Sequence, residues 1–282
     1  MQGIRTVGAV MKSARDRLQS ISETAGMDTQ LLLEHVTGRP REQLLAHPEQ
    51  TLTLEQESSI ETLVQQYLEN RPLPYLLGWW EFYGRRFEVS PAVLIPRPET
   101  ELLVEQALSF LRPGKPARIL DVGTGSGIIA ITLLLEHFPG TAVATDLSRK
   151  ALVFAEKNRV FYSLQERLKL VQTDLASGCA GDFDLVCANL PYIPTTKLDN
   201  LLVSRREPLA ALDGGEDGLD LIRRLLEDLP RLVCRGGAAL FEIEADQRTQ
   251  VLDVARWILS DCDCRILPDL AGRDRLLIVS GF

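Results

Sequence analysis

The stretch Arg118-Ile119-Leu120-Asp121-Val122-Gly123-Thr124-Gly125-Ser126-Gly127 decides the fold. Its first half is a short apolar run of the kind a buried strand uses. Its second half is a loop of alternating glycines, and an apolar run predicting a helix over Gly127–Phe138 follows. Glycines permit a tight turn and let a ligand come close to the backbone. The spacing then restricts the ligand. A dinucleotide loop of the form Gly-x-Gly-x-x-Gly/Ala needs Gly or Ala at 128, where this chain has Ile128. A pyrophosphate would also sit poorly beside the Asp121 carboxylate, whereas a cationic amino-acid moiety is attracted to it.

From Ala117 onward, short apolar strands alternate with helices. Strands are expected at Arg118–Val122, Ala142–Thr145, Leu168–Gln172, Phe183–Ala188 and Ala238–Ile243, with two more near 265–267 and 276–279. Further helices are expected at Ser148–Phe161, Gly218–Val233 and Asp246–Leu259. This is the pattern of a doubly wound α/β sheet of seven strands that ends in an antiparallel hairpin. In such sheets ligands bind beyond the carboxyl ends of the strands. Asp121 stands there, as do Asp146 about 20 residues after the loop and Asp174. Asp146 is placed to meet a ribose diol, and Asp174 to accept from an adenine amino group. A sulfonium, an ammonium, a ribose and an adenine together describe S-adenosylmethionine.

After the fourth strand comes Asn189-Leu190-Pro191-Tyr192. An Asn side-chain oxygen and a neighbouring backbone carbonyl can accept the two N–H groups of one planar NH2. Pro191 keeps Leu190 extended and fixes its carbonyl, and Tyr192 offers an aromatic face. The alternative reading of the tetrapeptide is an ordinary strand-to-turn transition.

The region ahead of the sheet differs. Leu31, Leu32, Leu33 and Val36, then Leu44 and Leu45, then the segment Thr53–Leu68 carry helical spacing, with Thr53 as a cap. Residues 1–75 are expected to form a helical substrate-recognition bundle, 76–98 a linker hairpin and 99–282 the catalytic domain. Trp79 and Trp80 are expected to pack between domains. Leu94-Ile95-Pro96-Arg97-Pro98-Glu99-Thr100-Glu101 precedes a helix running to Leu111.

Bulk properties narrow the function classes. The 282 residues are 45% hydrophobic and 25% charged with a net charge of −8, which argues against a nucleic-acid coat or a membrane-surface protein. Five cysteines at irregular spacing suit a reducing compartment. Neither they nor the three histidines have metal-ligand spacing, so no metal is expected. No signal peptide is expected from the first residues, no apolar run of about 18 residues occurs in the sequence, and a cytoplasmic location is the expectation.

Asp121–Gly127, Asp146, Asp174 and Asn189–Tyr192 together resemble the class I S-adenosylmethionine-dependent methyltransferases that act on a planar NH2. Leu94–Glu101, the stretch Glu207-Pro208-Leu209-Ala210-Ala211-Leu212-Asp213-Gly214-Gly215 with Gly218-Leu219, and Gly272-Arg273-Asp274-Arg275 extend the likeness. With the helical N-terminal region, they make nearly the whole chain similar to the bacterial release factor glutamine methyltransferases. The resemblance implies methyl transfer from S-adenosylmethionine to N5 of the glutamine in the Gly-Gly-Gln motif of peptide chain release factors. It assigns the cofactor to Asp121, Gly123, Thr124, Gly125, Gly127, Asp146, Leu147, Asp174, Leu175 and Asn189. It assigns the acceptor amide to Asn189, Leu190, Pro191 and Tyr192. The release factor is the expected partner of a monomeric enzyme, with no membrane and no sequence-specific nucleic-acid contact.

Two positions depart from the family pattern. Its usual Asn-Pro-Pro-Tyr is here Asn189-Leu190-Pro191-Tyr192, which frees the 190 backbone. Glu244 stands where the family commonly has Gly. Two rival readings are an adenine N6-methyltransferase acting on nucleic acid and a non-catalytic S-adenosylmethionine-binding protein.

Overall fold

A computed structural model of the chain describes residues 5–137 and 139–282, in two compact units that divide between Trp79 and Trp80. The first unit is helical: α1 (Val7–Leu18), α2 (Ala25–Thr37), α3 (Arg41–Ala46), α4 (Leu54–Leu68) and α5 (Leu73–Leu77). Thr53 opens α4 with a reciprocal cap. Its hydroxyl accepts from Gln56 N–H at 3.2 Å, and the Gln56 side chain accepts from Thr53 N–H at 3.1 Å, which satisfies two otherwise orphaned donors. Buried Val10, Leu18, Leu32, Leu33, Ile60 and Val64 form its interior. The stretch around Pro72 and Pro74 makes the short helix α5. Proline is tolerated in a first helical turn, where its missing N–H has no partner to lose.

The hairpin β1 (Trp79–Phe82) and β2 (Arg85–Glu88), which lies in the second unit from Trp80 onward, is followed there by α6 (Pro98–Phe110). The hairpin packs into this unit through fully buried Phe82 and Phe87. Glu101 Oε1 accepts from Tyr83 N–H at 2.8 Å, and the Asn158 amide holds both the N–H and the C=O of Glu88.

Then come β3 (Ala117–Val122), α7 (Ile128–Glu136), β4 (Gly140–Asp146), α8 (Arg149–Phe161), β5 (Leu168–Gln172), β6 (Phe183–Ala188), α9 (Thr195–Leu198), α10 (Asp220–Leu232), β7 (Val233–Glu242), α11 (Arg248–Ile258), β8 (Asp263–Pro268) and β9 (Asp274–Ser280). The seven strands lie in the order β5-β4-β3-β6-β7-β9-β8, parallel except for β9, which is antiparallel to both neighbours. The expected doubly wound sheet with a terminal antiparallel hairpin is therefore present. From β3 the chain winds outward to β4 and β5, then returns to β6 on the other side. The reversal between β3 and β6 is the crevice where such sheets bind ligands.

Two core layers cover the faces. One gathers Val122, Val186, Leu225, Leu229, Phe241 and Val251, and the other Leu103, Ile119, Ile131, Leu134, Leu185 and Ile278. Residues 128–134 of α7 are all buried, as expected for a helix that is apolar all round. That helix starts one residue later than its sequence suggests; Phe138, its expected end, lies outside the described residues. The helix expected from Asp246 begins with a 3₁₀ turn at Ala245–Gln247 before α11.

Candidate active site

A cavity of about 410 Å³ opens at the carboxyl ends of β3, β4 and β6. Its wall includes Gly123, Thr124, Gly125, Asp146, Leu147, Asp174, Leu175, Asn189, Leu190 and Pro191. Residues separated by up to 68 positions in sequence thus meet on one surface.

The loop side is held by backbone. Gly123, Gly125 and Gly127 have φ of 74°, 58° and 86°, conformations that side chains disfavour. Gly123 N–H and Thr124 N–H both donate to Thr145 O, at 2.9 and 2.8 Å. Asp146 accepts Gly125 N–H at 2.9 Å through Oδ2 and Ser148 N–H at 2.7 Å through Oδ1. Burial nevertheless raises its carboxyl above the usual range, against those two bonds.

Asp121 is off the cavity wall. It is fully buried behind the loop, where Oδ2 accepts from Thr124 Oγ1 at 2.6 Å and from Ala130 N–H at 3.1 Å. Its other oxygen, Oδ1, is buried with no hydrogen-bond partner among the described residues. Burial pushes Asp121 up to about 6, with the nearby Asp146 charge adding to the rise. Gly127 is also off the wall, because it caps α7. Asp174 is on the wall but exposed, and Oδ2 accepts from Arg224 at 2.6 Å.

The other side is held by side chains from distant segments. Asn189 Nδ2 donates to Thr100 Oγ1 at 3.0 Å, and Thr100 Oγ1 donates to Glu242 Oε2 at 2.7 Å. The Tyr192 ring does not reach the cavity wall. Its hydroxyl lies 3.5 Å from Glu242 Oε1, and burial beside Glu242 raises its pKa further above the ordinary phenol range. Burial also pushes Glu242 up to about 7.

The further motifs build the frame of this side. Glu207 is buried and accepts Ile95 N–H at 3.0 Å while pairing with Arg97, so it ties the proline-rich stretch ahead of α6 in place. Gly218 has φ of 81°, and a Cβ there would come within 2.2 Å of Tyr192 O. Only glycine lets that loop close on the tetrapeptide. Gln247 completes the clamp, donating to Tyr192 O at 2.9 Å.

Both departures from the family pattern have local accounts. Leu190 is buried, and its Cδ2 sits 3.0 Å from where a Gly123 Cβ would be, so it fills the space over the glycine loop. Glu244 has an ordinary φ of −75° and caps the 3₁₀ turn. It accepts Ala245 N–H at 3.3 Å, and its own N–H donates to Gln247 Oε1 at 3.0 Å.

Sequence reasoning missed the roles of Thr100, Glu207, Glu242 and Gln247. Thr100 and Glu207 lie inside quoted motifs without an assigned contact. Glu242 carried a signal of its own, an acid within the apolar strand run 238–243.

Among known proteins, the PrmC N-terminal domain model matches residues 9–78, and the methyltransferase small domain model matches 98–205. A release factor glutamine methyltransferase of Moorella thermoacetica is 39% identical over 259 residues, covering 91% of each chain. One from Agrobacterium fabrum is 34% identical over 283 residues, covering 98% of this chain and 97% of the relative. A methyltransferase crystal structure from Pyrococcus furiosus, 17% identical, superposes with a TM-score of 0.54 over 77% of this chain and 96% of its own, a likeness of fold. The match to these relatives over more than nine-tenths of each chain, at above 30% identity, means that the chain belongs to the release factor glutamine methyltransferase family.

Proposed function

We propose that the protein transfers a methyl group from S-adenosylmethionine to the side-chain amide nitrogen, N5, of the glutamine in the Gly-Gly-Gln motif of peptide chain release factors. The observation that carries this reading is the state of Asn189. Its Nδ2 is spent on Thr100 while Asn189 itself lines the cavity, so Oδ1 is the end available to accept an N–H from an incoming NH2.

The residues present suit the cofactor. The wall is mostly apolar, two glycines leave the loop backbone open, Asp146 and Asp174 supply acceptors, and behind the loop Asp121 holds a buried oxygen without a partner among the described residues. Gly123, Thr124, Gly125, Asp146, Leu147, Asp174 and Leu175 would hold it, with Asp121 and Gly127 fixing the loop from behind. When bound, S-adenosylmethionine supplies a methyl carbon on a sulfonium that departs as a neutral thioether.

The chain's own task is alignment. An amide nitrogen is a poor nucleophile because its lone pair is delocalised into the carbonyl. Asn189 Oδ1 and the Leu190 carbonyl, accepting its two N–H groups, direct that lone pair at the methyl and favour the positive charge that develops on nitrogen. Holding reactants in line in this way lowers barriers by up to ~7–11 kcal/mol. The proton leaves after transfer, when the nitrogen has become acidic, so no strong base is required. Pro191 and Tyr192 keep the corner rigid. The helical N-terminal unit serves release-factor recognition. The cytoplasm is the expected compartment; among the described residues no helix is long and apolar enough to cross a membrane.

The test is methyl transfer from labelled S-adenosylmethionine to a purified release factor, beside a factor whose Gly-Gly-Gln glutamine is changed to alanine. Ribosomal RNA and DNA run in parallel. Label on the intact factor alone supports the assignment. Label on nucleic acid alone overturns it in favour of an adenine acceptor, and cofactor binding with no label on any acceptor leaves a non-catalytic binder.

A further inference from the structure

Glu242 is a carboxyl placed where desolvation penalises its charge. It ends β7 at 1% exposure, next to buried Phe241 and Ile243. A buried acid of this kind is retained only when its oxygens are used, and both are. Oε2 accepts from Thr100 and Oε1 faces the Tyr192 hydroxyl.

The consequence lies one bond further along. A threonine hydroxyl has a single proton. Because Thr100 gives that proton to the Glu242 carboxylate, it can only accept from Asn189, and the group facing it must be the NH2 end of the amide. Asn189 Oδ1 is then left for the acceptor. If Glu242 carried a proton and donated it to Thr100, the Thr100 proton would be released toward Asn189. The amide could then turn over and present its two N–H donors to an incoming NH2, which cannot accept both.

We propose that Glu242 is a positioning residue for the transfer, setting through Thr100 which end of the Asn189 amide meets the glutamine nitrogen. The inference rests on the reading of Asn189 given above. The titratable and charged groups that act on Glu242 are Tyr192 after β6, Glu99 on α6 and Arg275 on β9; Thr100 supplies its neutral hydrogen bond. Burial is the largest influence and Glu99 adds to it, while Thr100, Arg275 and Tyr192 oppose it. The ionised fraction of Glu242 therefore rises across neutral pH, and turnover follows it.

The experiment measures kcat, KM for the release factor and cofactor Kd across neutral pH for wild type, Thr100→Val, Thr100→Ser and Glu242→Gln. In parallel, the side-chain ¹⁵N–¹H resonances of Asn189 are followed with pH. Thr100→Val is expected to lower kcat roughly 10- to 100-fold, the scale of a misplaced reacting group, with KM and cofactor Kd little changed. Thr100→Ser restores most of the loss. Glu242→Gln loses the rise in kcat near pH 7 yet melts no lower than wild type at pH 8. The Asn189 resonances shift across pH 7 in wild type and stay still in Glu242→Gln. A Glu242→Gln enzyme with unchanged kcat and pH profile overturns the proposal, as does a Thr100→Val defect confined to cofactor binding and melting temperature. The resonance readout decides the relay whether or not the release factor is the acceptor. Failure of wild type to label the factor counts against the acceptor assignment alone.

Discussion

The glycine loop with Asp146 and the corner around Asn189 face one cavity, yet they are held by different kinds of bond. On the loop side the bonds are mainly backbone N–H groups donating to Thr145 O and to the Asp146 carboxylate, across at most 22 residues of sequence. On the Asn189 side they are side chain to side chain, across 89 and 142 residues. Backbone donors are present whatever the side chain, so the loop tolerates most changes other than those at its glycines and acids. A relay of hydroxyl, amide and carboxyl depends on each member, because losing one leaves a buried polar group unsatisfied. The comparison predicts that defects on the two sides separate into cofactor affinity and turnover.

The sharpest way to break that separation is Asn189→Ala. It should lower kcat by roughly 10²- to 10³-fold, the scale of one lost transition-state hydrogen bond, about 2.7–4 kcal/mol. Cofactor Kd, measured by calorimetry, should stay close to wild type. Collapse of cofactor binding instead would put Asn189 on the other side of the comparison.

A second test uses stability. Glu242 has its folded pKa raised from 4.5 to about 7 by burial. Between those values the native state keeps a proton that the unfolded chain has released. Its contribution to stability is therefore complete below pH 4.5 and is lost as pH rises through 7. Glu242→Gln stays neutral and keeps hydrogen-bonding groups, so at pH 8 it should be more stable than wild type by up to roughly 3 kcal/mol. Below the unfolded pKa there should be no gain. Urea melts at acid and alkaline pH read the difference, and a destabilised variant at pH 8 would contradict it.

Asp146→Ala should show the opposite bias to Asn189→Ala. It removes the acceptor for Gly125 and Ser148 along with the expected ribose contact. Cofactor Kd should weaken by roughly 10- to 100-fold, about 1.4–2.7 kcal/mol, with kcat at saturating cofactor much less affected. Asp174→Ala should have the smallest effect, below about 1 kcal/mol in cofactor binding, because the carboxylate is exposed and already paired with Arg224. If the two aspartates proved equal, the exposed pairing would have been misjudged as the weaker contact.

The same contrast explains what could be read in advance. The Asp121–Gly127 loop and Asp146 were legible because strand, turn and helix impose fixed local spacings, so their positions at one sheet edge follow from the pattern of the chain. The doubly wound sheet with its terminal antiparallel hairpin followed from the same alternation, whereas the order of its strands came from the structure. Thr100 and Glu242 were not legible. No local spacing connects the first turn of α6 to the last residue of β7; only the packing of that helix against the sheet does. Tyr192 and Asp121 lie beside the cavity and not on its wall, a placement that no local spacing indicates. Which way a side chain turns at a strand end depends on what else competes for it, here Glu242 for the Tyr192 hydroxyl and Thr124 for the Asp121 carboxylate.

The sequence by itself determined a doubly wound α/β sheet, a helical N-terminal region, and the position of Asp121, Asp146, Asp174 and Asn189 at or just after strand ends. Periodicity, glycine spacing and turn chemistry are local properties that survive without coordinates. Only the tertiary structure decided that Leu190 fills the space over Gly123, that Glu244 serves as a cap, and that a buried acid reaches Asn189 through one hydroxyl. Those outcomes depend on volumes and hydrogen-bond directions between segments far apart in the chain, and they exist only once the segments are packed.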